Sequence, residues 1–290
     1  MVLKSLFTMN NHTFNLTSRD MVEPNNKMPN VPLVTTTIII AILTAIFNSL
    51  LILAILLNPE LRKKSKYFLI LILSICDLLC GIVGLPICVY IQSSPTWDDG
   101  YTTLWNVTLI GFLFVTSFGI LQVCAICLDW LTKVTLSHST EMKQYKLAVF
   151  MTSIFCVGTI IMIQITVTLD YMAQYLCVVL MLSFPIIFNL TSLLAIAYFF
   201  RINRSTIFEV PYDIIIASIT TVACEMPATF CFLTLRYDMN EYWVIGCLED
   251  VRRVILPLVW LINRSSRTEM RSFTDIIRHK NTPTCRPSHN

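Results

Sequence analysis

Charge is what this sequence has least of. Only 13% of its 290 residues are Asp, Glu, Lys or Arg, where a soluble protein carries about 25%. Hydrophobic residues make up 55%. That balance excludes an ordinary soluble domain and points to a chain that crosses a membrane several times. Histidine is also scarce. His12, His138, His279 and His289 lie scattered outside the apolar runs and suggest neither a catalytic pair nor a metal site. A Gly-rich phosphate loop, a Ser/His/Asp set and an intramembrane aspartate pair are all missing. No enzyme, metal or cofactor is therefore expected. The first 32 residues hold no apolar core long enough for a cleavable signal peptide. No internal repeat is present, which weighs against a transporter built from duplicated halves. The basic residues fall in short loops, where membrane topology explains them better than nucleic-acid binding does.

Cysteine, by contrast, is plentiful. Ten of the eleven cysteines lie inside apolar segments and read as small buried hydrophobes. Cys124 and Cys127 form a CxxC within an apolar run, and no second pair at zinc spacing accompanies it.

Seven apolar runs are each long enough to span a bilayer, which takes about 20 residues. They cover 33–57, 67–91, 103–131, 147–169, 174–200, 211–235 and 242–262. Lipid offers the backbone no hydrogen bonds, so each run is expected to be a helix. The expected fold is all-α: a seven-transmembrane helix bundle over 33–263, with an N-terminal segment 1–32 and a tail 264–290. Lys and Arg fall unevenly across it. Fifteen lie in 58–66, 132–146, 201–210 and the tail, and four lie in the N-terminal segment and at Arg236. The positive-inside rule then puts the N-terminus outside and the tail in the cytoplasm. Sequons at Asn11 and Asn15 fall on the outer side as candidate glycosylation sites. In the tail, Met270, Phe273, Ile276 and Ile277 recur at helical spacing between Arg267, Arg271 and Arg278. That pattern predicts a short amphipathic helix on the inner leaflet. Cys285 beyond it is a candidate for palmitoylation. Trp97, Tyr101, Trp105, Tyr242 and Trp243 gather at the outer boundary as interfacial anchors.

The motifs along these spans occur in a familiar order. "FNSLLILAILLNPELRKKSKYFLILILSICDLLCGIVGLP" carries Asn48 and Asp77. "WDDG" follows at Trp97 to Gly100, then "ICLDWLTKV", "SFPIIF" with Pro185, "CEMP" with Pro227 and "LPLVW" with Pro257. Together they resemble the rhodopsin-like G-protein-coupled receptors over residues 33–278. The resemblance implies a plasma-membrane receptor that binds an extracellular small molecule or peptide. It would signal by moving the sixth helix about Pro227 against a cytoplasmic heterotrimeric G protein. It also makes Asn48 the first-helix asparagine and Asp77 the second-helix aspartate.

Departures from the family pattern are many. Trp130 stands where the family has the arginine of Asp-Arg-Tyr, and Leu131 where it has the tyrosine. Glu225 replaces the sixth-helix switch tryptophan. Leu256 and Trp260 replace the asparagine and tyrosine of the seventh-helix Asn-Pro-x-x-Tyr. The cysteine that ties the second outer loop is replaced near Trp105, so the usual outer disulfide is expected to be absent. The lysine that holds retinal in light-sensing relatives is Asp250, which excludes an opsin. The third-helix aspartate of amine receptors aligns with Phe112.

The charges left inside the spans are the strongest local signal. "EDVRR" places Glu249, Asp250, Arg252 and Arg253 in the seventh run, where each charge costs about 2.5–3.5 kcal/mol on insertion scales. Asp77 and Glu225 also fall near the middle of their spans. In the family, the region around Asp77 is a polar cavity that holds sodium. Here its third-helix serine is Gly119, and its seventh-helix asparagines are Arg252 and Leu256. One arrangement has arginine replacing the ion, with Arg253 facing Asp77 and Arg252 facing Glu225. A competing arrangement pairs Glu249 with Arg252 or Arg253 within one helix. The acids outnumber the arginines. Asp250 and Glu249 are therefore candidates for holding a cationic ligand, beside Phe112, and the other reading is a self-neutralised polar core. The expected switch residues are Asn48, Asp77, Trp130, Glu225, Pro227, Arg252, Arg253 and Pro257. Two other functions fit the same features: a signalling-silent decoy or heteromer partner, suggested by Trp130, and a transporter or channel using the midplane charges.

Overall fold

The computed structural model describes residues 31–93, 99–135, 141–168, 171–202, 211–234 and 239–262. Among these, helix is the only regular structure. The first helix, α1, spans Val31–Leu57. A four-residue α2, Pro59–Arg62, follows, capped by Asn58, whose side chain accepts from the Glu60 amide at 3.0 Å. Then come α3 (Ser65–Leu79), a π-helical turn (Cys80–Gly84) and α4 (Leu85–Ser93), which form one continuous rod. The remaining helices are α5 (Asp99–Thr135), α6 (Glu141–Thr168), α7 (Tyr171–Ile202), α8 (Tyr212–Thr234) and α9 (Met239–Ile262).

The helices overrun the apolar runs that predict them. α6 begins at Glu141, six residues ahead of the run at 147, and α5 continues through Lys133 to Thr135. Hydropathy marks where a side chain tolerates lipid. Backbone hydrogen bonding carries the helix past that point, into residues that Lys and Glu suit equally well.

These helices are inside out by the standards of a soluble protein. Along α1, Thr37, Thr44 and Asn48 are buried, while Ile38, Ile39, Ile42, Ile46, Leu50 and Leu53 are exposed. In α7, Asn189 and Ser192 are buried, and Leu180, Phe184, Ile187 and Leu194 face outward. In water such apolar faces would drive aggregation. Against acyl chains they are the solvated surface, and the polar side chains turn inward, with Asn189 Nδ2 donating to Ser218 O on α8 at 3.3 Å. Five helical stretches are long and apolar enough to cross a membrane: Val31–Leu57, Ser65–Ile91, Ile110–Thr135, Met142–Thr166 and Leu176–Arg201. The chain is thus a multi-pass helical membrane protein. α8 and α9 fall outside that set of five; Asp213 and Glu225 lie in α8, and Asp250, Arg252 and Arg253 in α9.

Packing closes a ring of α1, α3, α5, α7, α8 and α9, with α9 against both α8 and α1. α5 is the most buried of the five apolar stretches and touches α3, α4, α6, α7 and α8. α6 lies outside the ring, on α5, and is the least buried of the five.

Proline shapes this bundle by freeing carbonyls. A proline has no N–H, so the carbonyl four residues earlier loses its helical partner. Pro185 in α7 frees Met181 O, and Ser117 Oγ donates to that oxygen at 3.4 Å. Pro257 in α9 frees Arg253 O, and Asn48 Nδ2 donates to it at 3.1 Å. Pro86, early in α4, follows the π-helical turn, where the Leu85 amide bonds back to Cys80 O. This turn sits hard against α1: a Cβ on Gly81 would lie 3.0 Å from Thr44 Cγ2.

Candidate functional site

Asp77 is on α3, Glu225 on α8, and Asp250, Arg252 and Arg253 on α9. Each lies near the middle of its rod, and all are buried. The three helices bring them into a chain of alternating sign. Arg252 Nε is 2.8 Å from Glu225 Oε1, and Arg252 Nη2 is 3.8 Å from Asp77 Oδ1. Arg253 Nε is 3.6 Å from the same Asp77 oxygen, and Arg253 Nη1 donates to Asp250 Oδ1. The order is Glu225, Arg252, Asp77, Arg253, Asp250. Asp77 is the hub, sharing one oxygen between two guanidiniums that are both 0% exposed.

Neutral groups complete the setting. Arg253 Nη2 donates to Thr116 Oγ1 on α5 at 3.1 Å, and its guanidinium carbon lies 5.5 Å from the centroid of the Phe112 ring. Gly119 supplies the space for Arg252. A Cβ there would lie 3.0 Å from Nη2 and 3.2 Å from Nη1. From below, Asn48 holds the Arg253 carbonyl and donates to Thr44 O at 2.9 Å as well. Four helices therefore converge on Arg253: α1 through its backbone, and α3, α5 and α9 through its side chain.

Of the two pairings open in the sequence, the structure contains interhelical contacts, Arg252 with Glu225 and Arg253 with Asp77. The i,i+3 partner within α9 is Asp250. The Glu249 side chain lies outside the described residues. Asp250, a candidate from the sequence for the ligand cavity, is buried and accepts from Arg253. The spacing explains this: three residues along a helix place the two side chains on one face, about one turn apart. Phe112 is beside Arg253. Thr116 is a site residue that charge patterns pass over; counting back four residues from Pro185 and Pro257 marks the Met181 and Arg253 carbonyls, whose donors are Ser117 and Asn48. Among the described residues, no group of three or more His, Cys, Asp and Glu is arranged to hold a metal ion.

A second polar cluster lies at the end of the bundle where α3 and α8 begin and α5 ends. Asp129, buried on α5, accepts from Ser65 Oγ at 2.6 Å and pairs with Lys133 Nζ at 2.8 Å. Lys66 Nζ pairs with Asp213 in the first turn of α8. Trp130 stacks on Phe200 at 5.4 Å between centroids and meets Phe199 edge-on at 6.0 Å. Pro227 lies within α8.

Cys76, Cys80, Cys88, Cys124, Cys127, Cys156, Cys177 and Cys224 are free thiols. Asn11, Asn15, Cys285 and the tail segment 263–290 lie outside the described residues, as do the side chains of Trp97, Tyr101, Trp105, Tyr242 and Trp243. No protein-family model and no curated protein matches this chain.

Proposed function

We propose that this chain is a divergent rhodopsin-like receptor with seven transmembrane helices, in which an internal chain of ion pairs replaces the family's sodium pocket. α8 and α9 are the sixth and seventh spans. Their charges are tolerable at membrane depth because they face one another rather than lipid. The observation that carries the reading is Asp77, on the second span, bridging the two α9 arginines while Glu225 on α8 holds one of them. Such a network has two discrete arrangements, paired and re-paired, which is what a switch between helices needs. The distribution of Lys and Arg supports an N-terminus outside and the end bearing Lys66 and Lys133 in the cytoplasm, and the receptor reading carries with it the plasma membrane.

Ligand action follows from Asp250. Arg253 already occupies it, so a ligand amine arriving from outside would compete for that carboxylate and release the arginine. Released, Arg253 closes on Asp77, which it already meets at 3.6 Å; Arg252 loses part of its hold on α3, and the Arg252–Glu225 pair no longer ties α8 to that helix. A conformational change of this kind needs only a ligand that binds the re-paired arrangement better.

Trp130 favours a second reading, a signalling-silent membrane partner, because an aromatic stack on Phe199 and Phe200 fills the place of the family's arginine. G-protein recruitment by the full chain in cells, with and without Trp130→Arg, separates the two. The receptor reading expects recruitment by the unaltered chain, increased by the substitution. Recruitment by neither protein at normal surface expression would leave the silent partner as the surviving reading.

A further inference from the structure

Phe68 and Tyr145 join the first turns of α3 and α6, with ring centroids 5.1 Å apart. Phe68 is the fourth residue of α3 and Tyr145 the fifth of α6. The two helices therefore start side by side at one end of the bundle and run parallel, with their positive dipole ends together. Lysines surround this contact. The Phe68 amide bonds back to Lys64 O at 3.3 Å, which puts half-buried Lys64 one turn nearer the end on the same side of α3. Lys143 and Lys146 flank Tyr145 on α6, and both are exposed. They fall in the first turns of the apolar stretch Met142–Thr166. There a lysine stem lies along the lipid tails while its ammonium reaches the headgroups.

The carboxylates at this end are already taken. Among the described residues, Asp129 holds Lys133, Asp213 holds Lys66 and Glu60 holds Lys63. Lys143 and Lys146 have no carboxylate partner among the described residues, and neither have Arg62 and Arg201. Lys66 and Lys133 are thus drawn into the bundle by buried acids, while the α6 lysines stay on a helix that lies outside the ring. Below them the seam turns apolar. Ile75 and Leu79 follow Phe68 at helical spacing, Val149 follows Tyr145, and all three are exposed. A cationic rim above an apolar, lipid-facing wall matches a phospholipid, with its headgroup at the lysines and its acyl chains along the wall. Phosphatidylserine brings one net negative charge to such a rim. A phosphoinositide with phosphates on its ring brings several on a single headgroup, which suits three ammonium groups gathered about one seam.

We infer that this end of the α3–α6 seam is a binding site for a polyphosphoinositide of the inner leaflet, with Lys64, Lys143 and Lys146 on its phosphates. The inference rests on the proposed orientation, which turns this end to the cytoplasmic leaflet. It depends on neither an extracellular ligand nor a G protein.

The experiment titrates the full chain in detergent micelles with a phosphatidylinositol bisphosphate and, separately, with phosphatidylserine. Native mass spectrometry counts the lipids bound. A micelle offers lipid to every face of the protein, so a failure to bind does not come from a wrong orientation. The bisphosphate should bind more tightly than phosphatidylserine. Lys64→Gln, Lys143→Gln and Lys146→Gln should each weaken it about fivefold, the equivalent of about 1 kcal/mol per lysine beside an anionic headgroup. The triple substitution should weaken it roughly a hundredfold, and arginine at all three positions should retain binding. Arg201→Gln removes an exposed cation at the same end on α7 and should leave the affinity unchanged. Equal affinities for the two lipids would overturn the site. So would a triple glutamine variant that binds like the unaltered chain, an arginine variant that loses binding, or a loss in Arg201→Gln as large as in the lysine variants. If the triple glutamine variant does not fold, the three single variants decide. An epitope on the tail, stained with and without permeabilising the cell, tests the orientation by itself. Staining of intact cells would refute that orientation, and with it the inner-leaflet source, whatever the micelle shows.

Discussion

Asn48 Nδ2 donates to the Arg253 carbonyl at 3.1 Å, and that carbonyl is the one Pro257 deprives of its helical partner. A side chain on the first helix thus completes the backbone of the last, at the turn carrying both arginines. Asn48→Ala should lower stability by about 1–3 kcal/mol, the cost of leaving a buried polar group unmade. Thermal unfolding in detergent measures it. In a Pro257→Ala background the restored amide can serve the carbonyl, so the same change should cost less. Strict additivity of the two substitutions would show that Asn48 acts elsewhere.

Gly119 and Gly111 lie two turns apart on α5 and should respond oppositely to a methyl group. At Gly119 the added carbon would press on both terminal nitrogens of Arg252, within 3.0–3.2 Å. The guanidinium cannot retreat without leaving Glu225 or Asp77, so Gly119→Ala should destabilise by about 1–3 kcal/mol. At Gly111 a Cβ meets nothing within 4 Å, and Gly111→Ala should be neutral or stabilising by up to about 1 kcal/mol through helix propensity. Melting temperatures of the two variants side by side make the comparison. Equal effects would mean that Arg252 does not fill the space beside Gly119.

The pair between α8 and α9 should show the asymmetry of buried charges. Glu225→Leu leaves Arg252 with the more distant Asp77, and Arg252→Leu takes from Glu225 the guanidinium 2.8 Å away. Each should cost about 3–5 kcal/mol, because a buried charge loses its nearest counter-charge. The double variant removes both and keeps Arg253 beside Asp77 at 3.6 Å, so it should cost less than the sum. Surface expression and thermal unfolding of the four proteins close the cycle. Additive losses would mean that the 2.8 Å approach of Arg252 to Glu225 contributes nothing as a pair.

Sequence reasoning reaches these groups unevenly, for physical reasons. Charges in an apolar run are conspicuous, because lipid permits them only with partners; Asp77, Glu225, Arg252 and Arg253 announce one another. The helices are legible for the same reason, since apolar length is their defining property. Lys66 is also visible, but only as one more basic residue in a short loop. Nothing local pairs it with Asp213, 147 residues away in the chain. Asp250 shows the opposite difficulty. Its spacing from Arg253 permits an i,i+3 pair, yet nearby Glu249 offers an i,i+4 pair as well, and the sequence does not rank the two. Thr116 carries no charge and reaches Arg253 only because α5 passes through the centre of the ring.

Asp250→Asn tests the link between the ion-pair chain and signalling. The carboxylate accepts from Arg253 Nη1, while Thr116 and the Phe112 ring contact the same guanidinium. Removing the charge weakens one end of the chain and leaves Asp77, 3.6 Å from Nε, as the remaining charged acceptor for Arg253 among the contacts described. This is the same shift proposed for an arriving amine, produced without a ligand. A hydrogen bond to a charged group contributes about 1.5–3 kcal/mol, and each 1.4 kcal/mol passed to the equilibrium between resting and active forms raises the active fraction roughly tenfold while that fraction is small. Basal G-protein recruitment, normalised to surface expression, should therefore rise in Asp250→Asn. Thr116→Val removes a neutral acceptor for the same arginine and should move recruitment in the same direction by less. Unchanged basal recruitment in Asp250→Asn, with the protein at the surface in normal amount, would separate the ion-pair chain from signalling and leave it a purely structural feature of the bundle.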